Sequence, residues 1–182
     1  SNYKIKNDFF LKSKKVLNIL SVGRLVKQKD HITILKAINL IKKKKKIKFC
    51  LIGKGSENKK LISYIKENKL LSIVKIIDYK KNIYPFYKKA DIFILSSLYE
   101  GLPNTLIEAL SLNVPIISTN CKTGPKEIIK NKYGKLFKIG DYKTLSKLIL
   151  KSKKKFKHRY IKDDRFDFEK NLKIYEYIIF NI

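Results

Sequence analysis

Residues 96–118 read SSLYEGLPNTLIEALSLNVPIIS. The stretch opens at the end of an apolar run, Ile92–Leu95, and turns at Gly101 and Pro103. Asn104 or Thr105 then begins a segment in which Leu106, Ile107 and Leu110 recur at helical spacing. A second apolar run, Val114–Ser118, closes it. Apolar run, turn, helix, apolar run is the grammar of a β-α-β unit.

The same grammar extends in both directions. Further short apolar runs lie at Val16–Val22, Ile47–Ile52, Val74–Ile77 and Gly134–Phe137. Their hydrophobicity is nearly continuous, which is how strands covered on both faces of a parallel sheet read. Helical stripes separate them, each behind a capping residue type: Asp30 before Ile34, Leu35 and Ile38; Ser56 before Leu61, Ile62 and Ile65; Asp141 before Leu145, Leu148 and Ile149. The unit repeats about six times. The expected fold is therefore α/β: an open, mostly parallel six-stranded sheet with helices on both faces.

Composition bounds the rest. The 182 residues, 44% of them hydrophobic, suit a single domain spanning 1–182. Its core is expected at about 16–150, followed by a basic segment and a C-terminal helix at about 151–182. There is no Met, even at position 1, which fits a piece of a longer protein. The two cysteines, Cys50 and Cys121, suggest neither a disulfide framework nor a metal site, and Cys50 lies within an apolar run. No apolar stretch approaches the ~18 residues that span a bilayer, so a cytoplasmic location is expected.

The net charge of +28 raises the question of nucleic acid. Only three of the 43 basic residues are Arg (Arg24, Arg159 and Arg165), whereas base edges are read best by the Arg fork. The lysines are spread along the chain, so a solvated surface is expected, with anionic lipid as the next partner and nucleic acid excluded. Lys42–Lys46 falls at a helix end and reads as solvated charge complementing the helix dipole. Residues 151–161, KSKKKFKHRYI, interleave bases with Phe156 and Tyr160. They either pack as a final helix or lie on an anionic membrane surface.

In open α/β sheets, ligands sit beyond the carboxyl ends of the strands where strand order reverses, commonly between the first and fourth. SVGRLVKQKD, residues 21–30, follows the first strand. There Gly23 permits a tight turn, and Arg24 and Lys29 supply two cations suited to a diphosphate. After the fourth strand, the helix start at Asn104 and Thr105 offers free N–H groups to an anion. Glu108 just inside it can accept hydrogen bonds from ribose hydroxyls. Glu100 stands at the strand end. Taken singly, each of these residues could equally be surface charge or ordinary loop chemistry.

Four segments in order, GRLVKQKD, LIGKGSENKKL, ADIFILSSLYEGLPNTLIEALSLNVPIIST and GPKEIIKNKYGKLF, resemble the retaining glycosyltransferases of family four, which build bacterial polysaccharides, lipooligosaccharides and protein-linked glycans. Glu100 and Glu108 match that family's E-x7-E signature. The resemblance, over about residues 16–150, implies the C-terminal, donor-binding half of a GT-B enzyme, a Rossmann-like domain facing a partner domain across a cleft. It implies that Arg24 and Lys29 grip the diphosphate of a nucleotide sugar without a metal or other cofactor. It further implies that Glu108 binds the ribose, that Glu100 faces the transferred sugar, and that Gly101, Leu102, Pro103, Asn104 and Thr105 meet sugar and phosphate. The base would rest near Asp78 and Tyr79. A UDP-linked hexose or N-acetylhexosamine, passed to a surface or lipid-linked glycan at the inner membrane face, is the expected chemistry, and the basic surface would assist at that membrane.

Two departures from the family pattern stand out. Asp30 replaces the usual Gly after the lysine and is expected to cap the helix while altering the turn. The resemblance implies an N-terminal acceptor domain that these 182 residues do not include, so this chain alone is expected to bind donor yet transfer sugar poorly or not at all. Two other readings compete. A glycoside hydrolase would use both carboxylates across a bond, ~5–9.5 Å apart, but would leave Arg24 and Lys29 idle. A non-catalytic nucleotide- or polyanion-binding module would depend on total charge alone.

Overall fold

The computed structural model describes residues 9–10, 13, 15–129 and 133–152. The basic-aromatic segment from residue 153 onward lies outside the described residues, and with it the final helix or membrane-facing tail expected from the sequence.

The elements alternate along the chain: β1 (Leu17–Val22), α1 (His31–Ile41), β2 (Ile47–Ile52), α2 (Asn58–Glu67), β3 (Val74–Ile77), α3 (Tyr84–Lys89), β4 (Ile92–Leu95), α4 (Asn104–Ser111), β5 (Ile116–Thr119), α5 (Pro125–Ile129), β6 (Gly134–Phe137) and α6 (Tyr142–Lys151). All six strands are parallel, in the order β3-β2-β1-β4-β5-β6. The fifth strand starts two residues later than its apolar run because Pro115 has no N–H to give the ladder; its carbonyl still accepts from Phe93, at 2.8 Å.

Strand order explains the layers. From β1 to β3 the chain steps one way across the sheet; from β4 to β6 it steps the other way. Right-handed crossovers then place helices on opposite faces. Alternate strand side chains follow: Ile19, Phe49, Leu51, Ile92 and Ile94 pack with α1, α2 and α6, whereas Leu20, Cys50, Ile52, Phe93 and Leu95 pack with α3, α4 and α5. Cys50 is wholly buried, and burial pushes its thiol up to about 12, so it behaves as the small apolar residue its surroundings suggest.

The reversal between β1 and β4 is pinned at the strands' starts. The Asn18 N–H donates to the Asp91 carboxylate at 2.8 Å, and the Asp91 N–H returns a bond to the Asn18 carbonyl at 2.8 Å. The reciprocal pair fixes the register of the two strands whose far ends flank the crevice.

Helix starts follow the sequence at α6, where the Asp141 carboxylate accepts the Thr144 N–H at 2.9 Å. Helix α2 begins later than Ser56 announces, because the Glu57 N–H is committed to the Leu25 carbonyl at 2.8 Å. The lysine run also departs from expectation. Lys43, Lys44 and Lys46 are solvated, but Lys42 Nζ donates to the Asn68 carbonyl at 2.7 Å. Lys45 Nζ reaches three carbonyls at the end of α6, those of Ile149 (3.1 Å), Leu150 (2.9 Å) and Ser152 (2.6 Å). An ammonium has three donors and a helix C-terminus has orphan carbonyls, so Lys45 staples α6 to the end of α1. No helix among the described residues is long and apolar enough to cross a membrane.

Candidate functional site

The crevice at the β1–β4 switch point has one wall from each strand's following loop. On the first wall the chain stays extended after β1. The Gly23 N–H donates to Ile52 (3.0 Å) and the Leu25 N–H to Lys54 (2.9 Å), so Gly23–Leu25 runs beside the loop after β2. That approach is possible only because the neighbours are glycines. A Cβ on Gly53 would lie 1.9 Å from the Gly23 oxygen, and one on Gly55 would lie 2.4 Å from the Leu25 oxygen. Leu25 is buried, and the alternation of an extended chain turns Arg24 outward, exposed, with Nη2 at 3.5 Å from Gln28 Oε1.

Gly23 is not in the left-handed region, so the tight turn expected of it does not occur there. The Lys29 stem instead crosses it, 3.7 Å from where a Cβ would be. The left-handed residue is Asp30, at φ 43°, ψ 44°, between a single 3-10 turn (Lys27–Lys29) and α1. This conformation favours Gly and is tolerated by Asp. Asp30 does stand at the cap position, but its carboxylate accepts the Thr33 hydroxyl at 2.7 Å rather than a backbone N–H of the first turn. Burial raises its pKa and the Thr33 bond partly offsets the rise.

His31 follows, 4% exposed, its Nε2 3.2 Å from the Arg24 carbonyl. A carbonyl only accepts, so Nε2 carries the hydrogen. Burial, helped by the Lys29 charge, lowers the imidazole to about 4 and keeps it neutral, and Nδ1 is buried without a partner.

The second wall is laced to the first. Ser96 Oγ donates to the Lys29 carbonyl (2.8 Å), the Leu98 N–H to the Gln28 carbonyl (2.8 Å), and Gln28 Nε2 to the Tyr99 carbonyl (3.0 Å). At the centre, Lys29 Nζ meets Glu100 Oε1 at 2.6 Å, with the two side chains 16% and 7% exposed. The Ser97 hydroxyl donates to the same oxygen at 2.5 Å. Thr119 Oγ1 holds the Ser97 carbonyl at 2.7 Å, and the Thr123 hydroxyl holds that of Glu100. Gly124, at φ 85°, lets its loop press on Gly101, whose oxygen would be 2.2 Å from an added Cβ. A Cβ on Gly101 itself would meet no protein atom within 4 Å.

Leu102 and Asn104 are exposed, Thr105 is half-buried, and Pro103 is buried at the N-cap position of α4. Glu108, half-buried on α4, is bonded by the Tyr87 hydroxyl, 2.9 Å from Oε2. Asp78 and Tyr79 lie beyond β3, two strands from the switch point, where the Asp78 carboxylate accepts the Tyr79 N–H at 2.6 Å.

The structure thus brings Lys29 and Glu100 together, sets Arg24 and the start of α4 at the same crevice, and leaves Asp78 and Tyr79 on a separate strand end. Each glutamate is engaged by its own partners, Glu100 by Lys29 and Ser97 and Glu108 by Tyr87. Sequence reasoning missed Gln28, His31, Tyr87, Ser97 and Thr123. Tyr87 alone carried a usable signal: a tyrosine on an apolar helix face needs a partner for its hydroxyl.

The sequence profile of the family Glycosyl transferases group 1 matches residues 4–165. The uncharacterized glycosyltransferase MJ1059 of Methanocaldococcus jannaschii is 41% identical over 111 residues, 60% of this chain and 27% of that protein. The N-acetylgalactosamine-N,N'-diacetylbacillosaminyl-diphospho-undecaprenol 4-alpha-N-acetylgalactosaminyltransferase of Campylobacter jejuni is 31% identical over 128 residues, 70% of this chain and 34% of that protein. Among solved structures, the apo form of the lipopolysaccharide outer core galactosyltransferase WaaB superimposes with a TM-score of 0.80 at 25% identity, over 94% of this chain and 51% of WaaB. Anabaena Alr3699/HepE in complex with UDP shares the fold, with a TM-score of 0.69 at 19% identity over 74% of this chain and 38% of HepE. The chain therefore spans about a third of its curated relatives' length and half of WaaB's. Its parallel six-stranded, Rossmann-like sheet and its sequence agree, and the chain belongs to the group 1 glycosyl transferases.

Proposed function

We propose that this chain is the donor-binding half of a retaining glycosyltransferase that takes a UDP-linked hexose or N-acetylhexosamine and delivers it, with an acceptor-binding domain, to a growing surface or lipid-linked glycan. One observation carries the reading. Lys29 and Glu100, 71 residues apart, meet at 2.6 Å at the topological switch point of a parallel sheet. A partly buried cation held by an acid at that place is a site for an anionic ligand.

Each residue then has a task. The Lys29 ammonium and the outward Arg24 guanidinium neutralise the diphosphate, and the first N–H groups of α4 add a partial positive charge. Glu108 accepts from the ribose. Glu100, steadied by Lys29, Ser97 and Thr123, presents carboxylate and loop backbone to the sugar. As the bond from the anomeric carbon to the diphosphate oxygen breaks, its electron pair stays on the diphosphate. The acceptor oxygen bonds to the same face of that carbon, and its proton passes to the departing diphosphate. The leaving group's growing charge is what the two cations stabilise, so no metal is invoked.

The Campylobacter relative is named for transfer onto a diphospho-undecaprenol carrier, and HepE is known with UDP bound. The first supports a lipid-linked acceptor here and the second a nucleotide-sugar donor. Work at a membrane surface would use the lysine-rich exterior, at up to ~1 kcal/mol per lysine near anionic headgroups.

The test is a calorimetric titration of the chain with UDP, GDP, ADP and UDP-hexoses at about 0.15 M salt. The expected outcome is UDP binding over the other nucleotides, weakened at least about tenfold by Glu108→Ala and by Lys29→Ala. Equal binding of every polyanion, indifferent to Glu108, would instead establish a charge-driven module.

A further inference from the structure

Helix α3 carries Tyr87, 1% exposed, its ring centroid 5.4 Å from that of Phe93. Such a ring is fixed by packing, so its hydroxyl is a fixed point in the molecule. That hydroxyl lies 2.9 Å from Glu108 Oε2 and 3.1 Å from the Thr105 carbonyl. A phenol has one hydrogen to donate, and the charged, nearer carboxylate oxygen is the stronger acceptor. Burial first, and the Glu108 charge and hydrogen bond next, push the phenol's pKa up, so it stays protonated and remains a donor.

Glu108 needs such a partner. A glutamate has three rotatable bonds, and on a half-exposed helix face its carboxylate would otherwise sample several orientations. We propose that Tyr87 is a positioning residue: by capturing Oε2 it presents Oε1 of Glu108 in one orientation, and this makes the site select ribonucleotides over deoxyribonucleotides. The inference rests on Glu108 as the ribose contact. It adds that ribose selectivity depends on a residue of another helix, 21 positions away, with no ligand contact of its own. The same hydroxyl lies 3.1 Å from the Thr105 carbonyl, which places it beside the first turn of α4, where the diphosphate would lie.

Tyr87→Phe tests it, because the ring that packs on Phe93 is kept and only the hydroxyl is lost. The readout is the ratio of the dissociation constants of 2′-deoxy-UDP and UDP, measured by calorimetry on the 182-residue chain, with a thermal melt to confirm folding. The ratio is expected to fall about tenfold in Tyr87→Phe. It should fall to near one in Glu108→Ala, with no further change when both substitutions are combined. A merely structural role would lower the melting temperature or weaken both ligands equally, without moving the ratio. An unchanged ratio in Tyr87→Phe, with Glu108→Ala still abolishing selectivity, would overturn the inference and leave the reading of Glu108 intact. An unchanged ratio in Glu108→Ala would overturn both. Should Tyr87→Phe not fold, incorporation of 3-fluorotyrosine at 87 keeps ring and hydroxyl but strengthens the donor; a ratio that stays the same there would also overturn the inference.

Discussion

The two walls of the crevice are built by different means. The start of the β1 wall, Gly23–Leu25, is held mainly by backbone: glycine-dependent contact with the loop after β2 and amide bonds at 2.8–3.0 Å, with the His31 ring on the Arg24 carbonyl. The β4 wall, Ser96–Glu108, is held by side-chain hydroxyls, those of Ser96, Ser97, Thr119, Thr123 and Tyr87. Backbone contacts at van der Waals limits cannot be retuned singly, whereas each hydroxyl can be lost at modest cost. The first wall is therefore a rigid carrier of cations, and the second an adjustable mount for carboxylates.

The sharpest way to break that contrast is to put a methyl group on each wall. Gly53→Ala, with its Cβ 1.9 Å from the Gly23 oxygen, is expected to lose at least about 3 kcal/mol and roughly 10 °C of melting temperature. Gly101→Ala, with no protein atom within 4 Å, is expected to melt like the parent while binding donor less well. Equal melting temperatures for the two variants would refute the rigid-carrier picture.

A second consequence concerns acid. His31 titrates at about 4 in the folded chain against 6.5 when exposed. Between those values the unfolded chain binds a proton that the folded one refuses. Stability is thus full above pH 6.5 and declines as pH falls toward 4, by roughly 3 kcal/mol from this residue. Urea unfolding at pH 7, 5 and 4 should show that His31→Gln has a shallower decline than the parent; parallel curves would remove His31 from the account.

The smallest effect expected is on the second wall. Thr123→Val keeps shape but loses the bond to the Glu100 carbonyl, for about 1 kcal/mol of stability and a few-fold loss of donor affinity. A larger loss would mean that the hydroxyl-held wall is as rigid as the other.

Much of this was legible in the sequence. The strands came out within two residues because continuous apolar runs are a local property, and so did the positions of both motifs beyond β1 and β4. The Lys45 staple was not legible. Its partners are 104–107 residues away, and a lysine in a run of five reads as solvent-facing until α6 is seen docked on α1. Nor was the role of position 30, where the sequence offered a helix cap and the backbone required a left-handed residue.

The sequence by itself determined the β-α alternation, the parallel sheet and which loops would face the switch point, since periodicity and turn residues act over a few positions. Only the tertiary structure decided that Glu100 would face Lys29 and that Glu108 would face Tyr87. The reason is geometric: the direction of a carboxylate at one strand end depends on where the intervening chain, folded into other strands and helices, delivers the group that can hold it.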